Sequence, residues 1–280
     1  MHLVMILVGV ALAWQVRSIA PDDSLDDGQR WQRAFVYFLF SPVLLVATAI
    51  AIVCMGTQGN MVSGYEGLLS YIIALGFLGT IVLLWIHLIR DVGRSLRHIR
   101  TFPQQNFLGH IGRLLDDNLA FSAQIGLWQP ELVVSRGLLA TLDAEHLEAV
   151  LAHEQAHLYY RDTFWFFWLG WIRRCTAWLP NTEIWWQELL LLREKRADRQ
   201  AARQVDPLLL AESLLFVVKS PLEQADGFCA AFSCPASRTR LEERIDALLG
   251  ETGTSEVSSS WKWMSLSMAL MPLLAIPFHT

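Results

Sequence analysis

A long run of basic residues is missing from this sequence of 280 residues. Charged residues make up only 18% of the chain, 22 Lys and Arg are outnumbered by 27 Asp and Glu, and the net charge is −5. Proteins that bind nucleic acid directly neutralise its phosphates with Lys and Arg clustered on one face. We therefore exclude nucleic acid as a direct partner.

Cysteine is also scarce, with four residues in the chain. Cys54 lies in an apolar run and Cys175 stands alone, whereas Cys229 and Cys234 form a local pair in FCAAFSC. So few cysteines argue against a disulfide-stapled secreted domain. We interpret the pair as two small buried residues in a reducing compartment, with a metal or redox switch as the alternative.

Apolar residues are abundant instead. They make up 53% of the chain, which has 12 Trp and a mean hydropathy of +0.33, values typical of a membrane protein. The segments 34–55 and 68–89 contain no Asp, Glu, Lys or Arg. At about 1.5 Å per helical residue, each is long enough to cross a hydrocarbon core about 30 Å thick.

Two further apolar segments, 2–16 and 261–280, are shorter and flank these spans. The first could instead be a cleaved signal peptide, because ALA at 11–13 resembles a processing site, but it has no Lys or Arg before its apolar run. We favour a retained helix. The sequence then predicts a mainly α membrane protein with about four transmembrane helices.

The loops between these spans differ in their content of Lys and Arg. The loop 56–67 has none, whereas 17–33 and the stretch that begins at residue 90 have several. By the positive-inside rule these basic loops face the cytoplasm, so we expect the region 101–250 to be cytoplasmic. The basic residues that decide this orientation are Arg17, Arg30, Arg33, Arg90, Arg94, Arg97 and Arg100.

The region 101–250 has the pattern of an α+β domain. Around residues 120–136, β-prone runs flank a Gln-Pro turn signal, which predicts a short hairpin or edge strand. Helical spacing predicts three helices, one across the segment that follows Leu142 with Asp143 as its cap, one near 183–205 and an amphipathic one at 237–250. Residues 251–260 have the composition of a linker to the last span.

The sequence HEQAH in the first of these helices has the spacing of a zinc site. On a helix, His153 and His157 project from one face, so both imidazoles can reach one ion, and Glu154 lies beside them. Glu154 would then be a general base acting on water polarised by the metal. Two unrelated histidines one helical turn apart are the alternative.

Carboxylates for such a site occur in REKRADR. Glu194 is 37 residues beyond His157 and would complete the set of protein ligands, with one zinc ion bound per chain. Asp198, one turn later, and Asp162 would orient the site from behind the ligands. An exposed charged helix face is the alternative for REKRADR. Four side chains are open as the donor to the oxyanion: Tyr159, Tyr160, Arg238 and Arg240.

The order of these segments resembles the BlaR/MecR-type membrane zinc metallopeptidases. The resemblance covers nearly the whole chain and is strongest at 125–200, where GLWQPELVVSRGLL, LEAVLAHEQAHLYYRD and REKRAD follow one another. It implies a gluzincin with HExxH and a downstream ExxxD, in a cytoplasmic zincin-like domain between the third and fourth spans. It also implies a multi-pass protein of a bacterial-type inner membrane with its active site facing the cytoplasm.

The sensor domain of the best-known members of that family would follow Thr280, where this sequence ends. We therefore expect a peptidase without antibiotic sensing, which cleaves itself or a transcriptional repressor in regulated proteolysis. HtpX-type and CaaX-type membrane proteases, which act in quality control or peptide processing, are the runner-up. A zinc-binding scaffold without catalysis is the alternative of another class. Expected partners are the lipid bilayer and a protein or peptide substrate, with a second copy of the chain in a homo-oligomer as a further candidate.

A Trp-rich segment, 162–180, is too short an apolar run to span the membrane. We expect it to lie in the membrane interface or to pack on other helices, which would hold the site near the bilayer. A peptide substrate could then add a strand alongside the edge formed by 124–135.

Overall fold

The computed structural model describes residues 2–57, 64–218, 238–250 and 266–278. The chain divides into two compact units. The helical unit comprises 1–87, 171–189 and 255–280, and the α+β unit comprises 88–170 and 190–254. Cys229, Cys234 and the predicted linker 251–260 lie outside the described residues.

Nine α-helices, four β-strands and a 3₁₀ helix occur in the described part of the chain. The helices are α1 His2–Arg17, α2 Asp27–Met55, α3 Gly64–Ile99, α4 Arg136–Thr141, α5 Ala144–Tyr159, α6 Asp162–Cys175, α7 Thr182–Ala201, α8 Pro207–Val218 and α9 Arg238–Leu249. The strands are β1 Gln104–Phe107, β2 His110–Leu115, β3 Ser122–Ile125 and β4 Glu131–Ser135, and the 3₁₀ helix is Met271–Phe278.

Among the described residues, α2 and α3 are the two helices that are long and apolar enough to cross a membrane. The predicted spans 34–55 and 68–89 lie inside them. Helix α1 has 16 residues and the 3₁₀ helix has eight, so both are shorter than a span of about 20 residues. The first and fourth spans, and the orientation of the chain, stay predictions.

Apolar contacts and two buried arginines link the segments of the helical unit. Ala13, Leu45 and Leu179 form an apolar cluster. Arg17 is fully buried and donates to the Phe38 carbonyl oxygen at 3.1 Å. In the same unit Arg30 of α2 and Glu188 of α7 form a buried ion pair at 2.7 Å.

The sheet of the α+β unit has the strand order β1-β2-β4-β3. Strands β1 and β2 form an antiparallel hairpin through Leu108 and Gly109, both with positive φ, as a tight turn that matches strand twist requires. Strand β4 pairs in parallel with β2 and antiparallel with β3. The predicted hairpin is confirmed as β3 and β4. The predicted edge 124–135 is confirmed only where it overlaps β3, which is an outer strand of the sheet, as β1 is on the other side. It is wrong for β4, which has a partner on each side.

Helix α5 packs its apolar face against this sheet. Leu147, Val150 and Leu151 of α5 share a core with Leu132 and Val134 of β4. Apolar contacts with α8 cover another side of the helix through Ala149, Ala152 and Leu210. Helix α5 is therefore fixed on two sides, which holds the side chains on its remaining surface in place.

Candidate metal centre and active site

Helix α5 carries the HEQAH sequence. As predicted, Asp143 caps the helix, and its carboxylate accepts a hydrogen bond from the backbone N–H of His146 at 2.9 Å. His153 and Glu154 are buried, and the Nε2 atoms of His153 and His157 lie 3.1 Å apart. The two imidazoles therefore converge on one point, as the i, i+4 spacing predicts.

Helix α7 brings a carboxylate to the same point. Glu194 Oε2 lies 3.3 Å from His153 Nε2, and Glu194 Oε1 lies 3.6 Å from His157 Nε2. One ligand atom from each of these three residues lies within 4.8 Å of the other two, so the group could hold a metal ion. The structure thus brings Glu194 of α7 to His153 and His157 of α5, although Glu194 lies at least 37 residues away from either histidine in the sequence.

A tight turn after α5 returns Asp162 to the site. Arg161 adopts a left-handed conformation with φ of 53°, and α6 begins at the next residue. Asp162 Oδ2 then lies 2.8 Å from His157 Nδ1, and its other oxygen accepts a hydrogen bond from Arg196 of α7. Asp162 therefore orients the ring of His157 on the side away from the converging nitrogens.

Asp198 occupies the equivalent position behind the other histidine. Its Oδ1 lies 2.9 Å from His153 Nδ1. Arg244 of α9 donates to both oxygens of Asp198, from Nε at 2.7 Å and from Nη2 at 2.8 Å. Each candidate ligand histidine is thus backed by an aspartate, and each aspartate by an arginine.

Sequence reasoning missed Arg244, Arg196 and Arg193 in this arrangement. Arg193 donates to Glu194 Oε1 at 2.6 Å from Nη2, and Arg244 Nη1 lies 3.4 Å from Glu194 Oε2. A signal for Arg244 was present, because in RLEERIDALL it falls on the apolar stripe with Leu241 and Leu248. An arginine on such a stripe is buried only with a partner.

The carboxylates set the protonation of the histidines when no metal is bound. Burial disfavours a charged imidazole, but Asp198 and Glu194 outweigh it and raise the pKa of His153 to about 10. Burial also opposes protonation of His157, whose pKa is nevertheless raised by Glu194 and Asp162. A metal ion that binds here must therefore displace protons.

The arginines set the protonation of the acids. Burial favours neutral carboxyl groups, but Arg193, His157 and Arg244 hold the pKa of Glu194 well below its usual range. Burial is likewise outweighed at Asp198, whose pKa is lowered by Arg244 and His153. Both carboxylates are thus ionised at neutral pH, the form in which a carboxylate binds a cation.

Glu154 lies beside the three candidate ligands and has its own partner. The hydroxyl of Ser122 on β3 donates to Glu154 Oε1 at 2.9 Å. Ser122 is a further residue that sequence reasoning missed. Because β3 is an outer strand of the sheet and contacts α5, this hydrogen bond links the carboxylate of Glu154 to a strand with a free edge.

The four side chains considered as oxyanion donors differ in their surroundings. Tyr160 packs under the guanidinium of Arg196 at 4.2 Å, and Tyr159 is 73% exposed at the end of α5. Arg240 lies on α9, whereas the side chain of Arg238 lies outside the described residues. The structure adds Arg244 as a cation at the centre through its contact with Glu194.

The donor set fits zinc. Two imidazole nitrogens and one carboxylate oxygen are the protein ligands of many catalytic zinc sites, which leave a position open for water or substrate. The aspartates behind the histidines fit as well, since a zinc-bound imidazole donates its other N–H to a carboxylate or carbonyl. His153, His157 and Glu194 would hold the ion.

Comparison with known proteins agrees with this geometry. Residues 116–211 match the model of peptidase family M48. The matched range contains β3, β4, α5 and the candidate ligand Glu194, and it ends before Arg244. Peptidases of this family depend on zinc, the metal that the donor set fits.

The chain is also similar to a curated protein that is a protease. The chain is 27% identical over 135 residues to the protease HtpX of Idiomarina loihiensis, an alignment that covers 41% of this chain and 47% of that protein. The chain therefore spans about half the length of that relative. No solved structure matches the chain.

The two similarities support a metallopeptidase, because the family model matched and the named relative are both those of peptidases. They agree with the predicted class of enzyme and with the runner-up family, the HtpX-type proteases. The narrower resemblance to BlaR/MecR-type peptidases stays a prediction.

Proposed function

We propose that this protein is a membrane zinc endopeptidase whose ion is held by His153, His157 and Glu194. The observation that carries the proposal is the convergence of these three side chains within 4.8 Å beside the buried carboxylate of Glu154. A structural zinc site closes with four protein ligands, whereas the group found among the described residues offers three and a neighbouring base. That difference favours catalysis over a purely structural role.

Different residues of the chain would carry out the separate steps of peptide hydrolysis. Zinc, when bound, supplies a Lewis acid and lowers the pKa of water toward neutrality. Glu154 accepts the proton of the attacking water and gives it to the nitrogen of the leaving amine. Ser122 donates to Glu154 Oε1 at 2.9 Å and so fixes the position of the carboxylate that would accept the proton.

The substrate would bind along β3. This strand is one of the two outer strands of the sheet, and it contacts Glu154 through Ser122. An extended peptide that adds to a sheet edge gains main-chain hydrogen bonds with little dependence on its sequence. A scissile bond placed beside Ser122 would then lie next to Glu154.

The location proposed is an inner membrane, with α2 and α3 as spans and the α+β unit on the cytoplasmic side. Support comes from the two long apolar helices and from the basic residues in the flanking loops. Two biological roles fit. The BlaR/MecR-type resemblance favours regulated cleavage of a repressor or of the chain itself, and the similarity to the protease HtpX favours quality control of membrane proteins.

The test is cleavage of a peptide library and of the chain itself by the full-length protein in detergent with zinc, read by mass spectrometry. We expect Glu154→Gln to lower the rate by at least about a hundredfold while zinc stays bound. Glu148→Gln is the matched control, because Glu148 is an exposed residue of the same helix. Equal cleavage by wild type and Glu154→Gln would overturn the role of Glu154, and no cleavage by a zinc-loaded wild type would leave a zinc-binding scaffold.

A further inference from the structure

Three aromatic side chains of the α+β unit form an exposed cluster outside the candidate metal centre. Trp128, in the turn between β3 and β4, is 75% exposed, and Trp165 of α6 is 57% exposed. Phe164 lies between them, with its ring centroid 5.1 Å from that of Trp128 and 5.3 Å from that of Trp165. We call these three residues the aromatic patch. A contiguous exposed apolar surface is typical of an interaction site.

Helix α6 has an inner and an outer face in this unit. Phe166, Phe167 and Leu169 are buried on the inner face, whereas Phe164 and Trp165 lie on the outer one. The Trp-rich segment was expected either to pack on other helices or to lie in the membrane interface. The inner face accounts for packing, so the membrane interface concerns the outer face alone.

The turn that carries Trp128 is attached to the C-terminal end of α3. A methyl group at Gly126 would lie 3.3 Å from Leu96 Cδ1, so the start of the turn is close to α3. Just after the turn, Glu131 accepts a hydrogen bond from Arg100 Nε at 2.8 Å. These two contacts keep Trp128 near that end of α3.

The sequence of α3 gives the level of this attachment. Its apolar run ends at Ile89, and three exposed arginines follow on one face, namely Arg90, Arg94 and Arg97. Leu96 lies seven residues beyond Ile89, which is about 10 Å along the helix at about 1.5 Å per residue. The polar layer of a bilayer is about 5–8 Å thick on each side of the hydrocarbon, and tilt of a span lowers the height of its end. A large side chain beside Leu96 is therefore long enough to reach that layer.

The partner that fits is the headgroup layer of a membrane that α3 is long and apolar enough to cross. Trp is favoured in this layer because its ring is apolar and its N–H can bond to headgroups and water. The stretch 90–97 contains three arginines and one aspartate, Asp91, which lies 3.8 Å from Arg94. Its net charge is therefore positive, which attracts anionic headgroups to the same level.

We propose that the aromatic patch is a membrane-contact surface, which places Trp128, Phe164 and Trp165 in the headgroup layer on the side where α3 ends. The proposal rests on the membrane location in the proposed function but does not require peptidase activity. Helix α6 begins at Asp162, which contacts His157. The patch would therefore hold the candidate metal centre close to the membrane surface.

The test measures depth in the bilayer with a fluorescent label. In a full-length chain whose native cysteines are replaced by Ala, nitrobenzoxadiazole is attached at Gln129→Cys, an exposed position next to Trp128. Asp116→Cys is the matched position, because it is also exposed but follows β2 at the opposite end of the sheet from the β3–β4 turn. Leu83→Cys, in the apolar run of α3, is the membrane reference. Each protein is placed in nanodiscs of phosphatidylcholine and phosphatidylglycerol, with or without lipid that carries a nitroxide just below the headgroup.

We expect nitroxide lipid to remove about half of the emission at Gln129→Cys and at Leu83→Cys, because both positions lie at or below the headgroups. Emission at Asp116→Cys should change little, since that position lies in water.

A second comparison tests whether the rings themselves make the contact. Trp128→Ser combined with Trp165→Ser should fold, because both side chains are exposed, and should lower the quenching at Gln129→Cys by about twofold. Leu208→Ser is the control, because it removes an apolar side chain that is 55% exposed on α8 of the same unit. It should leave the quenching unchanged.

Three results would overturn the inference while leaving the membrane location intact. They are quenching at Leu83→Cys alone, equal quenching at Gln129→Cys and Asp116→Cys, and quenching at Gln129→Cys that persists when both Trp128 and Trp165 are replaced. The first result, with emission at Gln129→Cys shifted to shorter wavelength, would mean that a segment of the chain itself covers the patch. Absence of quenching at Leu83→Cys would instead refute the membrane location on which the inference rests.

Discussion

Each candidate ligand histidine is held by an aspartate that is itself bound by an arginine. Asp162 and Arg196 stand behind His157, and the corresponding pair stands behind His153. The second partner fixes the position of the first, so the imidazole nitrogens that face Glu194 need little rearrangement to bind an ion.

The arginine behind Asp198 should therefore matter for zinc binding. Arg244→Met removes both hydrogen bonds to Asp198 and leaves its buried charge without that partner, so we expect zinc affinity to fall by about ten- to a hundredfold. Competition with a fluorescent chelator measures it. Arg203→Met, at an exposed arginine near the end of α7, should keep the wild-type affinity. Unchanged affinity in Arg244→Met would refute a positioning role for Arg244.

Protons should compete with zinc at this site. The pKa of His153 is raised to about 10 and that of His157 is also raised, while those of Glu194 and Asp198 are lowered. Between pH 6 and 8 the histidine protons must leave and the carboxylates are already ionised, so affinity should rise with pH by about tenfold per unit for each proton displaced. Calorimetry in buffers of different ionisation enthalpy counts the protons, and a count of zero would contradict this account.

At the scale of single residues, the sequence predicted side chains that lie one helical turn apart and side chains that a known chemistry requires. HEQAH predicted the convergence of His153 and His157, and zinc chemistry required a carboxylate such as Glu194. Arg244 and Ser122 were not predictable in the same way. Their contacts depend on how α9 and β3 pack against the site, which local spacing does not determine.

At the scale of elements, helices were easier to predict than the order of strands. The cap at Asp143 and the apolar spacing of α5 are local, so its bounds could be read from the sequence. The position of β4 inside the sheet depends on its parallel pairing with β2, whose paired residues lie 20 positions earlier. That long-range pairing is why β3 is an outer strand of the sheet and β4 is not.

Pairing of the substrate with β3 can be tested on the substrate alone. For one good peptide substrate, single N-methylation removes one main-chain donor at a time. We expect losses of about three- to tenfold in kcat/KM at alternate positions and little change between them, because a strand presents every second N–H to its neighbour. Equal effects at all positions, or none, would argue against strand addition. Unmethylated peptide of the same sequence is the control.

At the scale of the whole molecule, the segments that build the two units alternate along the chain. Residues 171–189 belong to the helical unit although the segments before and after them belong to the α+β unit. The unit boundary therefore falls inside α6 and α7, a division that composition could not reveal because both helices are continuous. The predicted domain limits, 1–100, 101–250 and 261–280, stay predictions.

The orientation in the membrane gives a prediction at this scale. In a chain whose native cysteines are replaced by Ala, Thr57→Cys should react with a membrane-impermeant maleimide in intact cells. Asp116→Cys, at a side chain 73% exposed in the α+β unit, should react only after the membrane is opened. Basic residues flank the other ends of α2 and α3, which is the physical reason for this orientation. The reverse labelling pattern would show that the α+β unit faces outward.

The most direct test of the central claim is X-ray absorption at the zinc edge of the purified full-length protein loaded with one zinc ion. The account predicts nitrogen and oxygen neighbours at about 2.0–2.2 Å, with the scattering pattern of two imidazoles. Loss of one imidazole in His157→Ala would assign the site. Sulfur neighbours at about 2.3 Å would contradict the claim, because they would place the zinc on cysteines rather than on HEQAH and Glu194.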